Sequence, residues 1–269
     1  MLDIIVSQGR VADRSAQTII GARLTAAAVA QHYPASTQTI GTPTAPAFDD
    51  WTESLPQAYK TLDALGSALA AAITRDTFPL LINSTCPASI ATLPIVAHAY
   101  PEAVVLWVDA HGDFNTPETT DTGYLGGMVV AAGCGLWDSG HGAGLNPHQV
   151  ILLGARDIDE PEAELLAQAG VAIIPPAQAT PEAVLTALAG RPVWIHIDWD
   201  SLEPGYVPAD YAVPNGLLPD QLRDIFAAIP KNHCLGLEIA EFHASDGESE
   251  NQAATTNILK IIEPLLPSP

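Results

Sequence analysis

Two short acidic runs in this sequence have the residue types and spacing to bind metal. Asp109-Ala110-His111-Gly112-Asp113 directly follows the apolar run VVLWV, and Asp198-Trp199-Asp200 directly follows VWIHI. In an extended chain, residues i and i+2 face the same side, about 6.5–7 Å apart. Asp109, His111 and Asp113 can thus converge from one strand, and Asp198 and Asp200 from another. Carboxylates crowded at the rim of a buried sheet repel one another and lose hydration, at several kcal/mol per unpaired charge. The chain has 10 Lys and Arg residues, and none lies beside either run. Divalent cations are the simplest compensation. Oxygen-rich donors with an imidazole suit Mn²⁺, and two ions can share bridging carboxylates at about 3.5–4 Å. A lone Asp-x-Asp after a strand is ordinarily a loop start or a helix cap. The metal reading rests on both runs together, each after a strand of buried type.

The elements that must position these runs follow from the apolar pattern. Strands are expected at Asp3–Val6, Phe78–Asn83, Val104–Val108, Val150–Leu153, Val171–Ile174, Val193–Ile197 and Cys234–Ile239. Helices are expected at Ser15–His32, Trp51–Thr74, Ser89–Ala99, Leu125–Cys134, Glu160–Ala169, Pro181–Ala189, Pro219–Ile229 and Gln252–Leu266. The strands are continuous apolar runs, as in a parallel sheet buried on both faces. Their alternation with helices predicts a three-layer αβα fold around a central parallel sheet, in one domain spanning 1–269. Ligands in such folds sit beyond the C-terminal strand ends, where both acidic runs fall. Tyr33–Pro46, rich in Pro and Thr, is expected to be a surface loop.

Composition narrows the partners. The 269 residues include 31 Asp and Glu, for a net charge of −21. This argues against nucleic acid and anionic membranes, but does not exclude a cationic small molecule, which such a field would attract. No apolar run reaches the ~18 residues of a membrane span, and MLDIIVSQGR lacks a signal-peptide pattern. Three widely spaced cysteines, Cys86, Cys134 and Cys234, fit a reducing cytoplasm better than a disulfide framework.

The segment WVDAHGDFNTPETTDTGYLGG resembles the first metal motif and substrate loop of the arginase/agmatinase (ureohydrolase) family, and HIDWDSLEPGYVPADYAVPNGL resembles its second motif. The resemblance continues in GARDIDEPE and GLEIAEFH and runs from about Leu80 onward. It implies the arginase-like fold and two Mn²⁺ ions per subunit. By resemblance, Asp109 and Asp198 bridge both ions, Asp113 completes one, and His111 and Asp200 the other. A water between them, acidified to hydroxide, would attack a guanidine carbon. Glu241 matches the catalytic carboxylate that holds the guanidinium by paired hydrogen bonds. Asp157, Asp159 and Glu162 match the acidic loop for a substrate α-amino group. Asn115, Thr120 and Thr122 match the loop facing the α-carboxylate. Taken singly, these are ordinary turn residues. Together they imply a cationic α-amino acid with a guanidine-type group, rather than agmatine.

Two departures from the family pattern stand out. Aligning the strand Phe78–Asn83 puts Cys86 where the family has a metal-binding His. A thiolate is softer than Mn²⁺ prefers, so either one ion is expected to be held more loosely or the centre to be more adjustable. Where arginases carry a proton-shuttling His, this chain has Gly126. Loss of a general acid/base typically costs roughly 10²–10⁴-fold, so arginine hydrolysis is expected to be poor. A less basic, oxygen-bearing guanidine depends less on that His. The resemblance then implies the branch that hydrolyses Nω-hydroxy-L-arginine to hydroxyurea and L-ornithine, in D-cycloserine biosynthesis. The rivals are another ureohydrolase (arginase, guanidinobutyrase, formiminoglutamase) and a member that binds ligand without turnover. Among other residues, His196 reads as a core histidine bonded to backbone. Glu203 reads as a brace for the second motif, and His243 as a candidate at the pocket mouth. Trimeric arginases are held partly by a C-terminal tail. Here only Pro267-Ser268-Pro269 follow the last expected helix, so a monomer is favoured over a trimer.

Overall fold

The structure, a computed structural model, describes residues 1–268; Pro269, part of the expected short tail, lies outside them. The strands are β1 (Leu2–Ser7), β2 (Ala35–Ile40), β3 (Phe78–Ile82), β4 (Val104–Val108), β5 (Val150–Leu153), β6 (Ala172–Ile174), β7 (Val193–Asp198) and β8 (Cys234–Ala240). They form one sheet in the order β2-β1-β3-β8-β7-β4-β5-β6, and every pairing is parallel. The helices are α1 (Ala16–His32), α2 (Trp51–Thr74), α3 (Ser89–Ala99), α4 (Val129–Gly133), α5 (Glu160–Ala169), α6 (Pro181–Leu188), α7 (Pro219–Ala228) and α8 (Glu248–Ile262).

Alternate strand residues feed two cores, which gives the three layers predicted. Ile4, Leu80, Leu106, Ile195 and Leu237 pack with α1, α6, α7 and α8. Ile5, Leu81, Val105, Trp107, Leu152 and Trp194 pack with α2, α3, α4 and α5. With both faces covered, the central strands need no polar alternation.

Three expectations are corrected. The segment expected as a loop contains β2, whose residues ASTQTI pair with β1 from Leu2↔Ala35 to Ser7↔Ile40. As an edge strand with mostly exposed side chains, it carries no apolar run to reveal it. The helix expected over Leu125–Cys134 breaks into a 3-10 turn, Leu125–Met128, and α4. Gly126 and Gly127 are poor helix formers at the point of the break. The last helix begins at Glu248, where Glu248 and Glu250 in its first turn suit the positive end of the helix dipole.

The decisive feature for the site is spatial order. β3, β8, β7, β4 and β5 are consecutive neighbours. Their C-terminal ends lead into Cys86, Glu241, Asp198, Asp109 and the 157–162 loop respectively.

Candidate metal centre and substrate cavity

The structure brings the expected ligand atoms together in two groups. Cys86, Asp109 and Asp198 form one, and Asp109, His111 and Asp200 the other, with the ligand atoms of each within 4.8 Å. Asp109 belongs to both groups, as a carboxylate shared by two ions must. Asp198 belongs only to the first. Asp113 belongs to neither, but it is buried and lines the same cavity.

Local hydrogen bonds hold each donor. Asp109 Oδ2 accepts from Trp107 Nε1 at 3.0 Å, and its Oδ1 accepts from the His111 amide at 2.7 Å. Asp198 Oδ1 accepts from the Asp200 amide at 2.8 Å, which caps the 3-10 turn Trp199–Ser201. Asp200 Oδ1 accepts from the Ala110 amide at 3.1 Å and so ties the second motif to the first. His111 Nδ1 lies 3.2 Å from Asp109 Oδ1 and 3.1 Å from Asp200 Oδ2. Asp113 and Glu241 both adopt positive φ, +50° and +67°. That region is strained for a non-glycine residue and is typical of functional sites. Glu241 is fixed there by its Oε1, which accepts from the Cys86 amide at 2.8 Å.

The electrostatics favour cations. Asp109, Asp113, Asp198, Asp200 and Glu241 are each at most 8% exposed. Among the described residues, no Lys or Arg pairs with them. Burial, then the charges of Asp200 and Asp109, push the Asp198 pKa well up. Burial, then the charge of Asp109, does the same for Asp113 and takes Asp200 to about 6. Burial and the charges of Asp198 and Glu241 push the Cys86 thiol well up. Burial alone would lower the pKa of His111, but hydrogen bonds to Asp109 and Asp200 drive it strongly up. A bound divalent cation reverses this by favouring every deprotonated donor. The donor set is therefore chemically suited to two divalent ions.

A pH dependence follows for the metal-free protein. A carboxyl whose pKa is higher folded than unfolded binds its proton more tightly when folded, so stability falls as pH rises between the two values. Asp200 titrates from 3.8 to about 6 in this way, and Glu162, raised mainly by burial, from 4.5 to about 7. His111 acts in the same direction above its ordinary 6.5. The chelated protein is expected to lose several degrees of Tm between pH 5 and pH 8, on the order of a few kcal/mol. Added Mn²⁺ should raise Tm more at pH 8 than at pH 5. A Tm that climbs with pH in the chelated protein contradicts this account of the charges.

A cavity of about 240 Å³ is lined by Cys86, His111, Asp113, Asp198, Asp200 and Glu241. Asn115, Thr122, Asp157, Asp159 and Glu162 line it as well, together with Tyr124 and Tyr211. Asn115, Thr122, Asp159 and Glu162 also hold the loops, with Asn115 Oδ1 accepting from Thr119 and Thr122 Oγ1 from the Tyr124 amide. Asp159 caps α5 through the Glu162 amide and also accepts from Asn115 Nδ2 at 3.0 Å. Glu162 Oε1 accepts from the Phe114 amide at 2.7 Å. The Asp157 side chain is 66% exposed, with Oδ2 3.8 Å from His111 Nε2. Thr120 is outside the lining and closes a turn by accepting from the Gly123 amide. His243 is also outside it, bonded to Ser15 and Asp210. Glu203 does brace the return of its loop, through the Gly216 amide at 2.8 Å.

The Gly126 position has a structural explanation. A Cβ there would sit 2.3 Å from the Tyr124 ring. Tyr124 thus fills the space a side chain at 126 would need, and the Arg14 guanidinium stacks on it, 4.1 Å from the ring centroid.

Several contributors escaped the sequence reading. Tyr211 stands edge-on to His111 at 5.3 Å from a long loop with no periodic signal. Arg156 lies beside the second motif in space, although 44 residues from Asp200 in sequence. Its guanidinium donates to the carbonyls of Val213 at 2.7 Å, Asp200 at 2.9 Å and Gly154 at 3.0 Å. It binds loop backbone and, among the described residues, forms no direct ion pair with the acidic cluster, although the charges of Asp200 and Asp109 act on it. His196 is a core histidine, but its partners are side chains, Cys86, Ser89 and Glu238, not backbone.

Comparisons with known proteins agree with this geometry. The Arginase family profile matches residues 9–263. The chain is 55% identical over 264 residues to the N(omega)-hydroxy-L-arginine amidinohydrolase of Streptomyces lavendulae, covering 98% of this chain and 97% of that one. The arginase of Bacillus caldovelox has the same fold, with a TM-score of 0.84 at 22% identity over 100% of this chain and 98% of that one. So does the arginase of Entamoeba histolytica, solved with L-ornithine, with a TM-score of 0.85 at 20% identity, covering 98% and 97%. On the profile match and this identity across nearly its whole length, the chain belongs to the arginase family.

Proposed function

We propose that the protein is a dimanganese amidinohydrolase that cleaves Nω-hydroxy-L-arginine to hydroxyurea and L-ornithine. The observation that carries this reading is a pair of ligand groups sharing Asp109, combined with Cys86 and Gly126, in a chain so similar to a relative bearing that name. Cys86, Asp109, His111, Asp113, Asp198 and Asp200 would hold the ions. The abundance of oxygen donors favours Mn²⁺. Bound cations supply charge compensation and acidify water at neutral pH.

The chain's own residues do the rest. Glu241 Oε1 is engaged by the Cys86 amide, which leaves Oε2 for the guanidine group. Burial pushes the Glu241 pKa well up, and an arriving cation favours its charged form. Asp157 and Glu162 offer negative charge to the α-amino group. Asn115 and Thr122 face the α-carboxylate, with Thr120 supporting their loop. The bond that breaks joins the guanidine carbon to the nitrogen that leaves with ornithine. Among the described residues lining the cavity, His111 is the one imidazole, so no second His stands ready to protonate that nitrogen. A less basic hydroxyguanidine tolerates this better than arginine does.

The test is ornithine release from hydroxyarginine and arginine, side by side, with Mn²⁺ present. Hydroxyarginine is expected to be preferred by at least about 10²-fold in kcat/KM, the lower range for a missing general acid/base. Equal rates would favour a plain arginase. Binding without turnover of either would favour a ligand-binding member.

The same reading takes the chain as one domain over 1–269, and as a monomer, because a charge of −21 opposes self-association. A trimer in sedimentation would contradict the latter. Among the described residues, no helix is long and apolar enough to cross a membrane. A cytoplasmic setting and a place in D-cycloserine assembly complete the proposal.

A further inference from the structure

Behind Cys86 lies a row of buried polar side chains that the proposed reaction does not use. His196 Nε2 is 3.3 Å from Cys86 Sγ. His196 Nδ1 is 3.2 Å from Ser89 Oγ and 3.3 Å from Glu238 Oε2. Ser89 Oγ donates to Glu238 Oε2 at 2.5 Å. The Trp107 ring stacks flat on the imidazole, with centroids 3.6 Å apart and 4° between the planes. The same Trp107 donates its indole N–H to Asp109. His196 and Glu238 are fully buried, and neither they nor Ser89 lines the cavity.

A buried His–Glu pair is an expensive way to fill a core, because apolar residues of similar volume usually serve as well or better. Here the pair has a definite geometry. Glu238 and Ser89 fix one ring nitrogen, Trp107 fixes the ring plane, and the other nitrogen points at a sulfur atom. On its far side that sulfur meets Asp198 Oδ2 at 3.2 Å. A cysteine side chain is short and turns freely about χ1, so nothing in its own structure would keep Sγ at the cluster.

We propose that His196, aimed by Glu238, Ser89 and Trp107, is the positioning residue that holds the Cys86 sulfur toward Asp109 and Asp198. It acts by a directed hydrogen bond, in the way that outer groups orient metal ligands generally. This rests on the reading of Cys86 as a ligand, and the test separates the two.

The experiment uses the full chain and two substitutions. His196→Gln places an amide nitrogen near the position of the lost Nε2. His196→Asn keeps a polar contact to Glu238 and Ser89 but cannot reach Cys86. The readouts are Mn²⁺ binding by equilibrium dialysis, the thiolate-to-metal absorption band of the Co²⁺-loaded protein, and thermal unfolding. In His196→Asn, one of two Mn²⁺ ions is expected to bind 10–100-fold more weakly, the scale for outer-shell partners. The Co²⁺ band should weaken or shift, while His196→Gln stays near the parent protein in both. If one variant fails to fold, the other still decides, because a weakened band in folded His196→Gln also counts against the proposal. Equal behaviour of the two folded variants would mean that His196 only fills space, and the proposal falls. No Co²⁺–thiolate band in the unsubstituted protein would overturn the ligand role of Cys86, and the positioning role with it.

Discussion

Asp198→Asn is expected to bind fewer than two Mn²⁺ ions and to lose turnover of hydroxyarginine by about 10³-fold or more. Asp198 is 6% exposed, with one oxygen held by the Asp200 amide and the other beside Cys86 Sγ. The amide preserves volume but removes one negative charge, and it can place an N–H where a cation would need an oxygen. Metal ions in hydrolases contribute several kcal/mol of transition-state stabilisation. At 1.36 kcal/mol per tenfold, the loss of one ion is a thousandfold effect. The control is Asp220→Asn, which removes a surface carboxylate paired with Lys260 and should change nothing measurable. Metal content and kcat/KM on the same samples check the result. A variant with two ions per chain and unaltered kcat/KM would show that Asp198 is not part of the centre.

Glu241→Gln is expected to behave differently, keeping both ions while kcat/KM falls about 10²–10³-fold. Its Oε1 bond to the Cys86 amide survives in Gln, so the strained turn at φ +67° should persist. What disappears is the charge that faces the guanidine group. Removing one member of a buried, hydrogen-bonded charge pair costs about 2–5 kcal/mol, or roughly 1.5 to 3.7 decades in rate, and the middle of that range is expected here. Equilibrium dialysis should find the parent Mn²⁺ affinity. If instead Glu241→Gln loses a metal ion and retains substrate affinity, then Glu241 belongs with the ligands.

The parts of this site that could be read in the sequence are those encoded by strand ends. VVLWV and VWIHI are each followed at once by acidic residues, so the pattern that marks each strand also marks the residues at its tip. Asp109 and His111 share one group of ligand atoms with Asp200, while Asp198 joins Asp109 and Cys86 in the other. The resemblance added Cys86, which no local pattern would have singled out, and the structure places it 3.2 Å from Asp198. What stayed hidden depends on contacts across the sheet. Glu238 lies on β8, His196 on β7 and Ser89 at the start of α3, each inside an apolar run or a helix where a polar residue looks incidental. Arg156 gave no sign that its guanidinium would reach backbone 57 residues away at Val213. β2 was missed because an edge strand needs backbone pairing on one side only, and ASTQTI has no apolar alternation. Asp159 shows the opposite difficulty. The same carboxylate reads as a helix cap and as a substrate ligand, and it performs the first role while lining the cavity of the second.

The most direct test of a two-ion centre is to strip the protein with a strong chelator and return Mn²⁺ in measured equivalents, following ornithine release from hydroxyarginine. The predicted curve starts at zero activity and levels off at two Mn²⁺ per chain. Full activity in the stripped protein, or a plateau at a single equivalent, would contradict it.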